Sequence, residues 1–216
     1  MSFDRIAPFY RCLETIAFGN ALQRARVCWI DKIPSLKRAL IVGAGNGRFL
    51  CELARVHPKI GIDCIDGSER MLQLARSRLS RRQPDSLARV CFLHCDIRNW
   101  SPKSPYDLIV THFFLDCFPE QELKEIIEKL SGAAAPGARW LIADFTLPGQ
   151  GFARLHARLW LWILYVFFRA STGIAADRIV DPAASFAKNG FGRSLTKSSR
   201  LGMLKSDLYV SADHYA

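Results

Sequence analysis

Long apolar runs are missing from this sequence. The longest uninterrupted one, Leu159 to Phe168, holds ten residues, whereas a membrane-spanning helix needs about 20. The opening stretch MSFDRIAPFYR carries acidic and basic residues where a signal peptide would place an apolar segment. A soluble, cytoplasmic protein is therefore expected. No C-x-x-C pair occurs among the seven cysteines (Cys12, Cys28, Cys51, Cys64, Cys91, Cys95 and Cys117), and most of them stand in apolar runs. An odd number without that spacing argues against a zinc or disulfide framework; buried reduced thiols and no metal site are expected instead. Internal repeats and low-complexity tracts are absent as well. Acid is in short supply: 20 Asp and Glu face 30 Lys and Arg, for a formal net charge of +10. Such a balance attracts polyanions and anionic membrane surfaces without specifying a fold. The basic residues are scattered, however. One cluster, Arg76, Arg78, Arg81 and Arg82, closes an expected helix, where cations suit the dipole. It reads as a solvated helix end, with an anion-binding patch as the alternative.

What is present is a globular composition: half of the 216 residues are hydrophobic, enough for one domain with a full core. From Arg38 onward, short apolar runs alternate with longer amphipathic ones. Strands are expected at Arg38–Val42, Lys59–Ile65, Arg89–Cys95, Tyr106–Thr111 and, after a Pro136-Gly137 turn, Ala138–Phe145. Helices are expected at Gly47–His57, after the N-cap Ser68, and at Pro119–Leu130, whose first turn is acidic. This alternation implies an α/β fold, a Rossmann-like, mostly parallel sheet with helices on both faces. Gly190–Lys197 and Met203–Val210 break the rhythm and read as an edge hairpin turning at Gly202. The expected layout is an N-terminal helical cap over residues 1–37, containing a leading helix over 9–31. A core follows over 38–149, then an apolar insertion or lid over 150–176, and a terminal helix and hairpin over 177–216.

The segment Leu40-Ile41-Val42-Gly43-Ala44-Gly45-Asn46-Gly47 is an apolar strand ending in G-x-G-x-G directly before a helix. Glycines there let the chain turn sharply and bring bare backbone against a ligand. Alone the loop is a weak signal. Asp66, 19 residues after Gly47 at the end of the second strand, strengthens it, because a carboxylate there can accept hydrogen bonds from a ribose diol. A pyrophosphate loop would place its third glycine where Arg48 stands. Followed by Asp66-Gly67-Ser68-Glu69-Arg70-Met71-Leu72, the loop instead resembles motif I and its sequel in the class I S-adenosylmethionine-dependent methyltransferases. His94-Cys95-Asp96, Tyr106-Asp107-Leu108-Ile109-Val110 and Leu201-Gly202-Met203-Leu204 match later family motifs in order, so the resemblance runs from about residue 38 to 211. It implies seven strands with the last antiparallel, S-adenosylmethionine as cofactor, and Asp96 beside the adenine. Phe3-Asp4-Arg5-Ile6-Ala7-Pro8-Phe9-Tyr10 resembles the opening of the ubiquinone/menaquinone C-methyltransferase branch. One position departs from the pattern: Ile41 stands where many members carry an acid that holds the methionine ammonium.

The resemblance implies a cofactor pocket lined by Gly43, Ala44, Gly45, Gly47, Asp66, Gly67, Met71, Asp96, Ile97 and Thr111, with Tyr10 closing over it. Methyl transfer needs in-line positioning and exclusion of water, and a base only where the nucleophile must lose a proton. The candidate bases are His112, Asp116 and Asp144. Their alternatives are a cofactor or backbone hydrogen bond for His112, a helix N-cap for Asp116 and a loop-anchoring bond for Asp144. Trp160, Trp162, Tyr165, Phe167 and Phe168, with Arg154, Arg158 and Arg169 around them, read as core packing, or else as an acceptor lid or interfacial helix. Thr111-His112-Phe113-Phe114 lacks the N/D-P-P-Y/F motif of enzymes that methylate base amino groups, and no RNA-binding module is visible. The expected partner is thus a small hydrophobic or aromatic acceptor, lipid-like or quinone-like, with peripheral membrane contact left open and no nucleic acid. The rival readings are an S-adenosylmethionine-binding protein without methyl transfer, a nicotinamide oxidoreductase with a degenerate loop, and a non-enzymatic binding protein.

Overall fold

Successive residues of the first strand serve opposite faces of one sheet. Ala39 and Ile41 join one buried cluster, while Leu40 and Val42 join the other, as the two-residue period of a strand requires. The computed structural model describes residues 19–34, 36–102, 105–146 and 180–212. Among these, β1 (Arg38–Val42), β2 (Gly61–Asp66), β3 (Val90–His94), β4 (Tyr106–His112), β5 (Ala134–Phe145), β6 (Phe191–Ser199) and β7 (Leu204–Ser211) form a seven-stranded sheet. Its order is β3-β2-β1-β4-β5-β7-β6. The pairings from β3 through β5 are parallel, and β7 runs antiparallel to both β5 and β6. The fold is the expected Rossmann-like α/β sheet closed by an antiparallel hairpin.

The helices are α1 (Ala21–Val27), α2 (Arg48–Val56), α3 (Glu69–Arg82), α4 (Glu120–Ser131) and α5 (Ala183–Lys188). Phe49, Leu50 and Leu53 of α2 and Leu72, Ala75 and Leu79 of α3 pack on one face with Ile41, Ile62 and Val110. Leu123, Ile126, Ile127 and Leu130 of α4 and Phe186 of α5 cover the other with Ile109, Trp140 and Tyr209. Ser68 caps α3 as expected, its Oγ accepting from the Met71 amide at 3.2 Å. At α4 the cap residue is Pro119 and no side chain caps the helix. Asp116 therefore does not serve as the N-cap; it belongs to a 3₁₀ turn, Leu115–Cys117, one turn earlier.

Two boundaries differ from expectation. β5 begins at Ala134, so Pro136-Gly137 lies inside the strand rather than before it. Gly137 takes φ +68°, and the ladder to β4 shifts register between Tyr106 and Leu108. The dipeptide makes a bulge, with Pro136 on the exposed side. The leading helix is shorter than expected: within the described residues, α1 is followed by a 3₁₀ turn at Ile30–Lys32. Residues 1–18 and 147–179 lie outside the described residues, and with them Tyr10 and the aromatic insertion. Among the described residues no helix is long and apolar enough to cross a membrane.

The strand order reverses at β1, which has β2 on one side and β4 on the other. In open α/β sheets a ligand crevice opens at this switch point, beyond the carboxyl ends of the strands.

Candidate active site

The cleft at that switch point is walled by the turn after β1. Gly43, Gly45 and Gly47 all take positive φ, at +70°, +53° and +75°. Two of them are glycine for want of room. A Cβ on Gly43 would lie 2.7 Å from Phe114, and one on Gly47 would lie 2.7 Å from the Ala75 backbone in α3. At Gly45 the nearest atom to such a Cβ is a carbonyl oxygen 3.9 Å away, so there bare backbone faces open space. The Gly43 and Ala44 amides donate to the Ile65 carbonyl at 2.9 and 3.3 Å, carrying the loop across to the end of β2.

Asp66 fixes the loop from the other side. Its Oδ2 accepts from the Gly45 amide at 2.8 Å, and its Oδ1 accepts from the Ser68 amide at 2.9 Å. Arg78 adds a second tie, its Nε donating to the Asn46 carbonyl at 2.7 Å. The arginine run at the end of α3 is therefore not simply a solvated helix end. Arg78 holds the loop and Arg76 lies over the Phe92 ring, 4.8 Å from its centroid. Only spacing along α3 could have hinted at this, since α3 must first pack beside α2.

Of the expected pocket residues, Gly43, Ala44, Gly45, Asp66, Gly67, Met71, Asp96 and Ile97 line the cleft. Gly47 sits beneath it, packed on Ala75. Thr111 is not among the lining residues: it is fully buried, and its Oγ1 accepts from Trp140 Nε1 at 2.9 Å. A polar residue at that point of β4 serves the core, because an indole N–H buried there needs an acceptor. Asp96 is gripped by Arg98 through Nε and Nη2 at 2.6 to 3.1 Å. That guanidinium holds the Asp96 carboxyl below the ordinary carboxylate range.

The three candidate bases separate. His112, at the end of β4, lines the cleft, is 9% exposed, and meets the Phe49 ring edge-on with centroids 4.6 Å apart. Burial, and then the nearby Arg26 charge, push its pKa well below the usual imidazole value. Its Nδ1 is buried without a hydrogen-bond partner. Asp116 and Asp144 do not line the cleft. They stand behind the wall made by Phe113, Phe114 and Cys117, where Cys117 Sγ lies 3.6 Å from Asp116 Oδ1. Burial lifts both carboxyls above their ordinary range, and at Asp144 the neighbouring Asp116 charge adds to it.

Several wall residues were not expected from the sequence. Phe49, Phe113, Phe114 and Phe118 supply an aromatic half, and Arg26, Arg48 and Arg98 supply cations. Phe113 holds φ +52°, a conformation rare for a bulky residue, with its amide donating to the Ala143 carbonyl at 2.7 Å. Immediately after a strand whose end opens into a cleft, a run such as Phe113-Phe114 is a readable signal for such a wall. Arg26 carries none, because tertiary packing alone brings α1 there.

Residues 40–140 match a family model described as a methyltransferase domain. A trans-aconitate 2-methyltransferase of Rhodococcus jostii (strain RHA1) is 28% identical over 162 residues, 71% of this chain and 56% of that protein. One from Escherichia coli O1:K1 / APEC is 38% identical over 79 residues, 37% of this chain and 28% of that protein. The chain thus spans about half the length of the former relative and less of the latter. Both are trans-aconitate enzymes rather than quinone C-methyltransferases, so the N-terminal resemblance to the quinone branch is not matched by these relatives. Among solved structures, an O-methyltransferase family protein from Burkholderia thailandensis superposes with a TM-score of 0.67 at 18% identity, over 97% of this chain and 62% of that one. Magnesium protoporphyrin IX methyltransferase from Synechocystis PCC 6803, solved with SAH bound, gives a TM-score of 0.64 at 18% identity, over 88% and 82% of the two chains. At 18% identity these likenesses show that the chain shares the fold of those structures.

Proposed function

We propose that the chain binds S-adenosylmethionine in the β1–β2–β4 cleft and transfers its methyl group to a small-molecule acceptor. The observation that carries this reading is the glycine loop at left-handed angles, joined by Asp66 to the end of β2. The residues present fit such a cofactor: Gly45 offers bare backbone, Asp66 offers a carboxylate at the end of β2 to a ribose diol, and Met71 and Ile97 offer apolar surface in the same cleft as Asp96. When bound, the cofactor supplies a methyl group made electrophilic by the positive sulfur.

What remains for this chain is to place the acceptor and keep water out. Phe49, Phe113, Phe114 and Phe118 do the second, as apolar walls next to the loop. Gly45, Asp66 and Met71 would hold such a cofactor, whose methyl group would pass to the acceptor. His112 is the expected base that reaches the cleft, but burial and the Arg26 charge disfavour the imidazolium that proton abstraction would leave. The site therefore suits an acceptor that arrives already ionised, such as a carboxylate oxygen. The trans-aconitate relatives act on an acceptor of that kind and support this reading. A lipid-like or quinone-like acceptor would draw its support from residues 3–10 and 150–176, outside the described residues.

Calorimetric titration tests the proposal. Binding of S-adenosylhomocysteine without binding of NAD is expected. NAD bound tightly while S-adenosylhomocysteine gives no heat would make the chain a nicotinamide protein instead.

A further inference from the structure

The turn that carries Asp96 into the cleft is gripped from outside the cleft. After β3 the chain folds back tightly: the Asn99 amide donates to the Asp96 carbonyl at 2.9 Å, and the Trp100 amide to the Ile97 carbonyl at 3.3 Å. Asp96, Ile97 and Arg98 line the cleft. The buried side chains of Ile97 and Trp100 hold the turn to the core, but apolar burial has no direction. It fixes where the turn lies and not which way its polar groups face. That second task falls to α4. Lys129, half-buried in the last turn of that helix, donates from Nζ to the Ile97 and Arg98 carbonyls at 3.2 and 2.5 Å. Two carbonyls converging on one ammonium make charge-assisted bonds, stronger than their neutral counterparts.

Glu122 stands seven residues before Lys129, two helical turns earlier on the same face of α4. Its buried Oε2 has no hydrogen-bond partner and lies 3.8 Å from Arg98 Nη1. The helix thus offers an acid to the Arg98 side chain and a base to the Arg98 backbone. Arg98 passes this placement on to Asp96. Its amide and Nε both reach Oδ1 at 3.0 Å, while Nε and Nη2 reach Oδ2 at 3.1 and 2.6 Å. Four bonds to one residue set the direction of that carboxylate, so Asp96 follows Arg98 and Arg98 follows α4. Lys124 of the same helix is a contrast: it is exposed and pairs with Glu120 one turn away, an arrangement worth little at a surface.

We infer that Lys129, a residue outside the cleft, is a positioning residue for it: through the Ile97 and Arg98 carbonyls it sets the turn that presents Asp96, with Glu122 steadying the Arg98 guanidinium. The inference rests on the reading of this cleft as an S-adenosylmethionine site and names a residue on which that site depends.

The test compares Lys129→Met with Lys124→Met and wild type on the full chain, with thermal melts beside two readouts. Methionine keeps an unbranched stem and removes both charge and donors. The first readout is alkylation by iodoacetamide without ligand, located by mass spectrometry. Cys95 leads into the turn, lines the cleft half-buried, and has Sγ 3.2 Å from the Asp96 carbonyl. Cys91, exposed on β3, and Cys64, fully buried in β2, report general accessibility and general unfolding. The second readout is S-adenosylhomocysteine affinity by calorimetry. Lys129→Met is expected to speed Cys95 alkylation about fivefold or more, with Cys64 and Cys91 unchanged, and to weaken S-adenosylhomocysteine binding about tenfold. Lys124→Met should match wild type in both. An unchanged Cys95 rate or an unchanged affinity in Lys129→Met overturns the inference. So does a joint rise at Cys95 and Cys64, which marks loosening of the whole fold. Should Lys129→Met fail to fold, Glu122→Gln, which removes only the charge facing Arg98, is read in the same way against the same outcomes. If wild type gives no heat with S-adenosylhomocysteine while Lys129→Met still exposes Cys95, the anchoring of the turn stands and the methyl-transfer reading falls.

Discussion

At Asp66 one carboxylate holds the loop in place before any ligand arrives, taking amides from Gly45 on one side and Ser68 on the other. Removing it leaves two backbone donors without their acceptor in a residue environment only 9% exposed. Asp66→Ala is expected to weaken S-adenosylhomocysteine binding by about 1–3 kcal/mol, through lost ribose contacts and a loosened loop together. Calorimetry beside a thermal melt checks both halves, and unchanged affinity would remove Asp66 from the binding role. This aspartate and the three glycines were legible because their chemistry is local: a turn, a strand end, a fixed spacing. Arg26 was not, since nothing near it in sequence marks it as a cleft residue. His112 was legible as a position and not as an environment. The imidazole stands where expected, while its burial and its arginine neighbour come from the packing of α1 and α2.

At the scale of elements, the loop, α2 and α3 behave as one unit. Gly47 lies at φ +75° with the Ala75 backbone where its Cβ would be, so α3 can approach the loop only over a glycine. Gly190 has a similar φ of +79° with nothing within 4 Å. The comparison separates strain from crowding. Gly190→Ala should cost roughly 1–2 kcal/mol from backbone strain, whereas Gly47→Ala should cost about 2–4 kcal/mol because α3 must also shift. Chemical denaturation measures both, and equal costs would mean that α3 yields freely. The order of β1 to β4 and the helices between them could be read from hydrophobic period, since β1, β2 and β4 are short blocks buried on both faces. The start of β5 could not. Pro136-Gly137 carries a strong turn signal, and only the partner strand β4 shows that the chain continues past it as a bulge. The N-cap reading of Asp116 failed for a related reason: the 3₁₀ turn Leu115–Cys117 ends before the helix starts, so its carboxylate faces Cys117 and the Asp144 side instead.

For the molecule as a whole, Asp116 and Asp144 place a like-charged pair behind the cleft wall. Asp144 Oδ1 is buried without a hydrogen-bond partner. Its pKa is raised by burial first and by the Asp116 charge second. A carboxyl with a folded pKa above its unfolded value near about 4 binds more protons when folded, so its contribution to stability falls as pH rises through the folded pKa. Asp144→Asn cannot ionise. It is therefore expected to raise Tm at pH 7.5 while changing it little at pH 4, which melts across that range would reveal. A variant less stable at both ends would show that the carboxylate anchors the fold instead. The two ends of the described chain are also latched together. Ser206 Oγ donates to the Ala25 carbonyl at 2.9 Å, Trp29 Nε1 donates to the Ser206 carbonyl at 3.1 Å, and α1 rests on β5 and β7. A ribosome delivers residue 206 only 180 residues after residue 26, while domains fold as their parts emerge. The glycine loop and Asp66 can thus be assembled on a nascent chain whose α1 still waits for β7 to hold it. The α1 side of the cleft is then set only after the loop on its other side.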